Sequence, residues 1–272
     1  MGERVGKIAL SILIIVASAI SYFLFAIIKN EGGVRNLLDR ISQDNKVETV
    51  KASGMNNLVV QLKENVLLDA PIVKQFPELP RGCEVTSLAM LLQYKGIDIG
   101  KMELAERVIK NTTPLKKENG TIYWGNPNDG YIGDMYSYSN PGYGVYHKPI
   151  KKLAEEFLPG QIIDLTGRNF EELKTYLSLE IPVWVIINTT YQPLSENAFE
   201  TWKTPSGEVK ITYKEHSVLI TGYDNKYIYF NDPITGIKNL AKPKDPFIEA
   251  WKQMGSQAIS LLPDANTIEG SK

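Results

Sequence analysis

The pattern of apolar and polar positions divides the 272-residue chain into stretches with different periods. From Ile8 to Ile28 the sequence IALSILIIVASAISYFLFAII holds 21 residues without a charge. At a helical rise of about 1.5 Å per residue it would span roughly 31 Å, against about 30 Å for the hydrocarbon core of a bilayer. Arg4 and Lys7 form a basic flank before it. The run exceeds the usual apolar region of a signal peptide, and its small-x-small site, Ala17-Ser18-Ala19, lies mid-run. It therefore reads as an uncleaved transmembrane signal anchor over 8–28, with a short cytoplasmic 1–7. Large domains translocate largely regardless of flanking charge, so the bulk of the chain is expected outside the cell membrane. Residues 29–63 are polar and charge-mixed, a membrane-proximal stalk with a short helix through Val34–Ile41. A globular domain is expected over 64–263, a length that suits one domain, followed by a polar tail over 264–272.

Within that domain the period alternates between helix and strand. NVLLDAPIV predicts a strand ending at Pro71. CEVTSLAMLLQYKG predicts a buried helix, with apolar residues at 85, 88, 89, 91 and 92 and Gly96 as its stop. KMELAERVIKN, KPIKKLAEEFLPG, NFEELKTYLSLE and DPFIEAWKQM predict further helices. IPVWVIINTT and QAISLL are continuous apolar strands, and EHSVLITGY, DN, KYIYFNDP is a hairpin. Residues 119–144, rich in Gly, Asn, Pro and Tyr, read as one long loop. Early helices followed by later strands predict an α+β domain with a mostly antiparallel sheet.

Charge excludes one class of partner. With 30 Lys+Arg against 31 Asp+Glu and no clustered basic face, no nucleic-acid partner is expected. Two His and one Cys give too few ligands for a structural zinc, and no metal or cofactor is expected. A single cysteine forms no internal disulfide.

That cysteine opens the question of chemistry. Cys83 follows Gly82 at the predicted start of the buried helix, where unpaired N–H groups and the helix dipole favour an anion. A thiol becomes a nucleophile as thiolate, with a base at hand; alone, it would read as core packing. His216 heads an apolar strand and Asn231-Asp232-Pro233 closes its hairpin partner. A two-residue loop at Asp224-Asn225 puts His216 on one face with Asn231. A three-residue loop puts it on one face with Asp232, diagonally across the ladder. One residue of slip decides, and Asp232 is favoured because a carboxylate best stabilises an imidazolium. Gln75, eight residues before the cysteine, carries an amide able to donate to an oxyanion beside the Cys83 N–H.

Gln75, then Cys83-Glu84-Val85-Thr86-Ser87-Leu88-Ala89-Met90, His216-Ser217-Val218 and Asn231-Asp232-Pro233 together resemble the peptidase C39-like family. The resemblance covers about Val66 to Leu262, including LDAPIVKQ, IPVWVIIN and AWKQMGSQAISL. It implies a papain-like cysteine peptidase fold related to the double-glycine leader peptidases of bacteriocin exporters, and hence a bacterial setting. It further implies Cys83 as nucleophile, His216 as general base and acid, Asp232 as the orienting residue and Gln75 as oxyanion donor. No GxxxxGK[ST] P-loop occurs, so this is no exporter carrying its own leader peptidase, and leader peptides need not be the substrate. The expected activity is hydrolysis of a peptide or amide bond in a peptide or protein, through an acyl-enzyme. The alternatives are acyl transfer to an amine by the same thiol, and a module that binds peptide or cell-wall material without turnover.

Other features read as structural. His147, in GVYHKPIKK, fits the exposed entry to a helix. NPNDGYIGD lacks the spacing of a calcium loop and reads as a tight turn. Tyr131, Tyr136, Tyr138, Tyr143 and Tyr146 cluster in the long loop, as a substrate wall or as loop packing.

Overall fold

The computed structural model describes residues 49–51 and 59–263. The predicted anchor over 8–28 lies outside these residues, as do the polar tail and most of the stalk. Among the described residues no helix is long and apolar enough to cross a membrane.

The fold is α+β, as the order of elements predicts. Seven strands form the main sheet: β1 (Val66–Leu67), β2 (Ile162–Asp164), β3 (Val183–Asn188), β4 (Glu215–Tyr223), β5 (Tyr227–Asp232), β6 (Ile237–Pro243) and β7 (Ala258–Leu261). Their order is β6-β5-β4-β3-β7-β2, with β1 added alongside β4, and every pairing is antiparallel. All six residues of β3 are buried, because this central strand is covered on both faces. Helices α1 (Cys83–Tyr94), α2 (Lys101–Arg107), α3 (His147–Phe157), α4 (Phe170–Ser178) and α5 (Lys244–Gln253) pack around it.

Helix α1 is the centre of the molecule. Its residues from Cys83 to Leu92 are all buried, as expected for a helix apolar around most of its circumference. It lies on β4 and β3 and is flanked by α2 and α3. Asn169 caps α4 by accepting from the Glu172 N–H at 2.9 Å. Gly96, at φ +89°, turns the chain beyond α1 where a side chain would be strained.

Three differences from the predicted elements matter. The first strand shrinks to two residues, followed by one more bond to its neighbour from the Leu68 N–H to the Thr221 carbonyl at 2.8 Å. Residues 119–144 carry strands Thr121–Tyr123 and Tyr131–Ile132. Thr121–Tyr123 joins a small sheet with Lys116–Glu118, Glu200–Thr204 and Gly207–Ile211, over a second core of Trp124, Ile132, Tyr143, Tyr146, Trp202 and Ile211. The strand Thr49–Lys51 pairs with Val59–Gln61 inside the segment read as stalk, and Val60 is buried against the main core.

Candidate active site

The hairpin of β4 and β5 sets the position of the polar pair. Tyr223 pairs with Ile228, so the tight loop is Asn225-Lys226, one residue beyond the predicted Asp224-Asn225. The Asp224 carboxylate holds this turn by accepting from the Lys226 and Tyr227 N–H groups at 2.7 Å. That register alone would place His216 with Asn231. A bulge at Thr221 then shifts the pairing by one residue, so that Leu219 faces Asn231. His216 and Asp232 thereby share a face, diagonally. The bulge adjoins Gly222, where a Cβ would sit 2.1 Å from the Val66 carbonyl oxygen, so only glycine lets β1 approach.

His216 Nε2 and Asp232 Oδ1 lie 2.9 Å apart, and both side chains are fully buried. Asp232 Oδ1 also accepts from the Ile234 N–H, and its Oδ2 from the Thr235 and Tyr191 hydroxyls at 2.8 and 3.0 Å. Burial is the largest single influence and raises the Asp232 pKa. The His216 hydrogen bond and charge, with Thr235 and the Ile234 N–H, together outweigh it and hold the carboxyl at about 2. In the neutral imidazole the bond to the ionised Asp232 puts the proton on Nε2 and leaves Nδ1 as a lone-pair acceptor. Nδ1 is buried and has no hydrogen-bond partner. Asn231, the other candidate orienter, instead donates to the Ala70 and Pro71 carbonyls and accepts from the Asn239 N–H.

Cys83 is the first residue of α1, after the Gly82 cap, so its amide is among those without an intrahelical acceptor. It lines a cavity of about 170 Å³ together with Gln75, Arg81, Tyr138, Tyr143 and Glu215. The Gln75 loop is held from two sides. Its N–H donates to the Pro233 carbonyl, next to Asp232, and Lys101 Nζ donates to the Gln75 carbonyl and to Glu78. The Gln75 side chain is buried, with Nε2 donating to the Pro80 carbonyl at 2.9 Å and Oε1 unpartnered.

The thiol itself bonds to a neighbouring carboxyl. Cys83 Sγ donates to Glu84 Oε2 at 3.3 Å. Burial, then the Glu84 and Glu215 carboxyls, push its pKa well above the ordinary thiol value; the Ser217 N–H, which favours the thiolate, acts weakly against them. Desolvation and the two acids thus exceed the helix dipole, which favours an anion at this position. Burial also raises Glu84 to about 7 and, with Glu84 opposite, raises Glu215 well above the usual carboxyl range. The thiol and two carboxyl groups lie within 4.8 Å of one another, and we assign no metal to them.

Neither glutamate was legible as functional. Glu84 looks like an ordinary acidic residue of a first helical turn, and Glu215 like the polar start of a strand. Tyr191 was missed too. Its ring edge faces His216 at 6.1 Å between centroids, and its hydroxyl reaches Asp232 from a loop residue at φ +56°. The tyrosines divide: Tyr131, Tyr143 and Tyr146 are buried, whereas Tyr138 is exposed at the cavity under Arg81. His147 is buried rather than exposed, its Nδ1 2.9 Å from Gln257 Oε1. It lines a separate cavity with Asn128, Tyr146 and Gln257, not the one at Cys83.

Comparisons with known proteins agree with this architecture. A model of the Peptidase C39-like family matches residues 67–259. The protein YvpB of Bacillus subtilis strain 168, which is uncharacterised, is 48% identical over 185 residues, 68% of this chain and 70% of its own length. A crystal structure from Bacillus anthracis, assigned as a C39-like peptidase, is 46% identical with a TM-score of 0.69, covering 74% of this chain and 99% of that one.

Proposed function

Because the chain belongs to the Peptidase C39-like family, we propose that it is a cysteine hydrolase cleaving a peptide or amide bond with Cys83, His216 and Asp232. The observation that carries this reading is the buried His216–Asp232 pair, whose remaining ring nitrogen has no partner. The backbone N–H of Ser217, the residue after His216, acts on the Cys83 thiol, which supports pairing that thiol with this imidazole.

The steps follow from these groups. His216 Nδ1 takes the thiol proton, and the Sγ lone pair forms a bond to the substrate carbonyl carbon. The carbonyl π electrons move to oxygen, where the Cys83 N–H and the second Gln75 Nε2–H are the available donors. Collapse of the tetrahedral intermediate breaks the carbon–nitrogen bond, and His216 gives its proton to the leaving amine. Water, deprotonated by His216, then cleaves the thioester and returns the thiol. Asp232 keeps the imidazole in the tautomer that this sequence needs.

The uncharged stretch over 8–28 supports a membrane-anchored enzyme with its domain outside the cell. The test is incubation of the full-length chain with a mixture of unstructured peptides, followed by mass spectrometry. Cleavage by the wild type and none by Cys83→Ala or His216→Ala is expected. Products carrying an added amine would instead indicate acyl transfer, and peptides retained intact would indicate binding without turnover.

A further inference from the structure

The proposed chemistry needs the Cys83 sulfur at an imidazole, yet its hydrogen bond runs to a carboxyl. Glu84 is the next residue, buried and held between two partners. Its Oε2 accepts from Cys83 Sγ at 3.3 Å and its Oε1 from the Val145 N–H at 2.7 Å. The second bond anchors the carboxyl to the chain that leads into α3, so it cannot follow the thiol. Gly144 confirms how closely that chain approaches: a Cβ there would lie 2.3 Å from Glu84 Oε1 and 3.1 Å from Glu215 Oε2. Glu215 stands beside this carboxyl, and its Oε1 is sealed from solvent without a partner. His216 Nδ1 is likewise buried and unpartnered. One group has an acceptor with no donor, while the only thiol donates elsewhere.

We propose that Glu84, with Glu215 beside it, is a positioning residue that parks the Cys83 thiol in a resting, protonated orientation. Sγ must leave this orientation, by rotation about Cα–Cβ, to give its proton to His216. The inference rests on the catalytic reading of Cys83 and His216. Its physical basis is twofold. A carboxyl oxygen accepts the S–H bond and rewards the protonated thiol. Negative charge on either carboxyl then opposes a thiolate in the same buried space. The other charged or titratable groups facing the pair are Lys110, Tyr131, Tyr143 and Tyr146, with Arg81 beyond Tyr131. Lys110 is the cation acting on Glu84, and burial lowers its own pKa. Occupation of the cavity by substrate, rather than pH alone, would then release the thiol, because the cavity and the parked sulfur share Cys83 and Glu215 as walls.

The test is the rate of iodoacetamide alkylation of the full-length chain across pH, with EDTA present, for the wild type, Glu84→Gln and Glu215→Gln. Glutamine at 84 keeps an oxygen for the Val145 N–H and puts a donor where the thiol acceptor was. Both variants are expected to alkylate about tenfold faster at neutral pH, a midpoint about one unit lower. The infrared S–H stretch of the wild type should shift in Glu84→Gln, which a merely structural role would not cause. Unchanged or slower alkylation in folded variants would overturn the proposal. Should Glu84→Gln fail to fold, Glu215→Gln decides. A profile that responds to the glutamates and not to His216→Ala keeps the parking contact and sinks the catalytic reading; the reverse pattern does the opposite.

Discussion

His216 Nε2 lies 2.9 Å from Asp232 Oδ1 with neither side chain reaching solvent, and three further donors complete the Asp232 carboxylate. An imidazole fixed in this way has one tautomer. Asp232→Asn should keep the fold but offer an amide where a carboxylate balanced the imidazolium, so alkylation of Cys83 at neutral pH should fall about 10²-fold or more. An unaltered rate would mean that Asp232 orients nothing.

Asp232 also ties acid stability to this pair. Its folded pKa, about 2, is below its ordinary 3.8. A depressed carboxyl stabilises the fold above the unfolded value, and the contribution is lost as pH falls through the folded one. Between about pH 4 and about pH 2 the wild type should lose about 2 kcal/mol more than Asp232→Asn. Urea unfolding at the two pH values measures it.

Glu84 has the opposite sign. Its folded pKa of about 7 is above the ordinary 4.5. The stability associated with its protonated form is complete below about pH 4.5 and disappears as pH rises through about 7. Unfolding free energy should decline by about 3 kcal/mol from mildly acidic to mildly alkaline pH. Glu84→Gln should flatten that slope, and an identical slope in both proteins would contradict the buried acid.

Tyr191 donates to Asp232 Oδ2 at 3.0 Å and packs edge-on to His216. Tyr191→Phe keeps the ring and removes the bond, at a cost of about 0.5–1.5 kcal/mol. Its effect on Cys83 alkylation should be smaller than that of Asp232→Asn, because three donors remain on the carboxylate. Chemical denaturation and the alkylation rate, read on one preparation, separate the two effects.

The parts of the site that follow strand alternation were legible before any coordinates. His216 and Asp232 fall on one face because side chains alternate, and Gln75 and Cys83 flank a short loop before a helix of evident apolar period. The route to the register was not legible: a loop at Asn225-Lys226 corrected by a bulge at Thr221 reaches the face that a three-residue loop would reach. Local sequence cannot weigh that bulge, since it depends on β1 arriving at Gly222 from far along the chain. The small sheet was missed for a different reason. Strands such as Gly207–Ile211 bury little except Ile211, so they lack the apolar period by which strands are recognised. Glu84 and Glu215 were hidden because burial of an acid is a tertiary fact, and residue type alone points the other way.

The most direct measurement of the central claim is the pH profile of Cys83 alkylation in the full-length chain and in His216→Ala. If His216 is the base for Cys83, the wild type should react through a lower midpoint than His216→Ala, although the buried acids hold both above the free-thiol value of about 8.5. In His216→Ala the midpoint should rise further, with the rate at neutral pH reduced about 10²-fold. Superimposable profiles would contradict it.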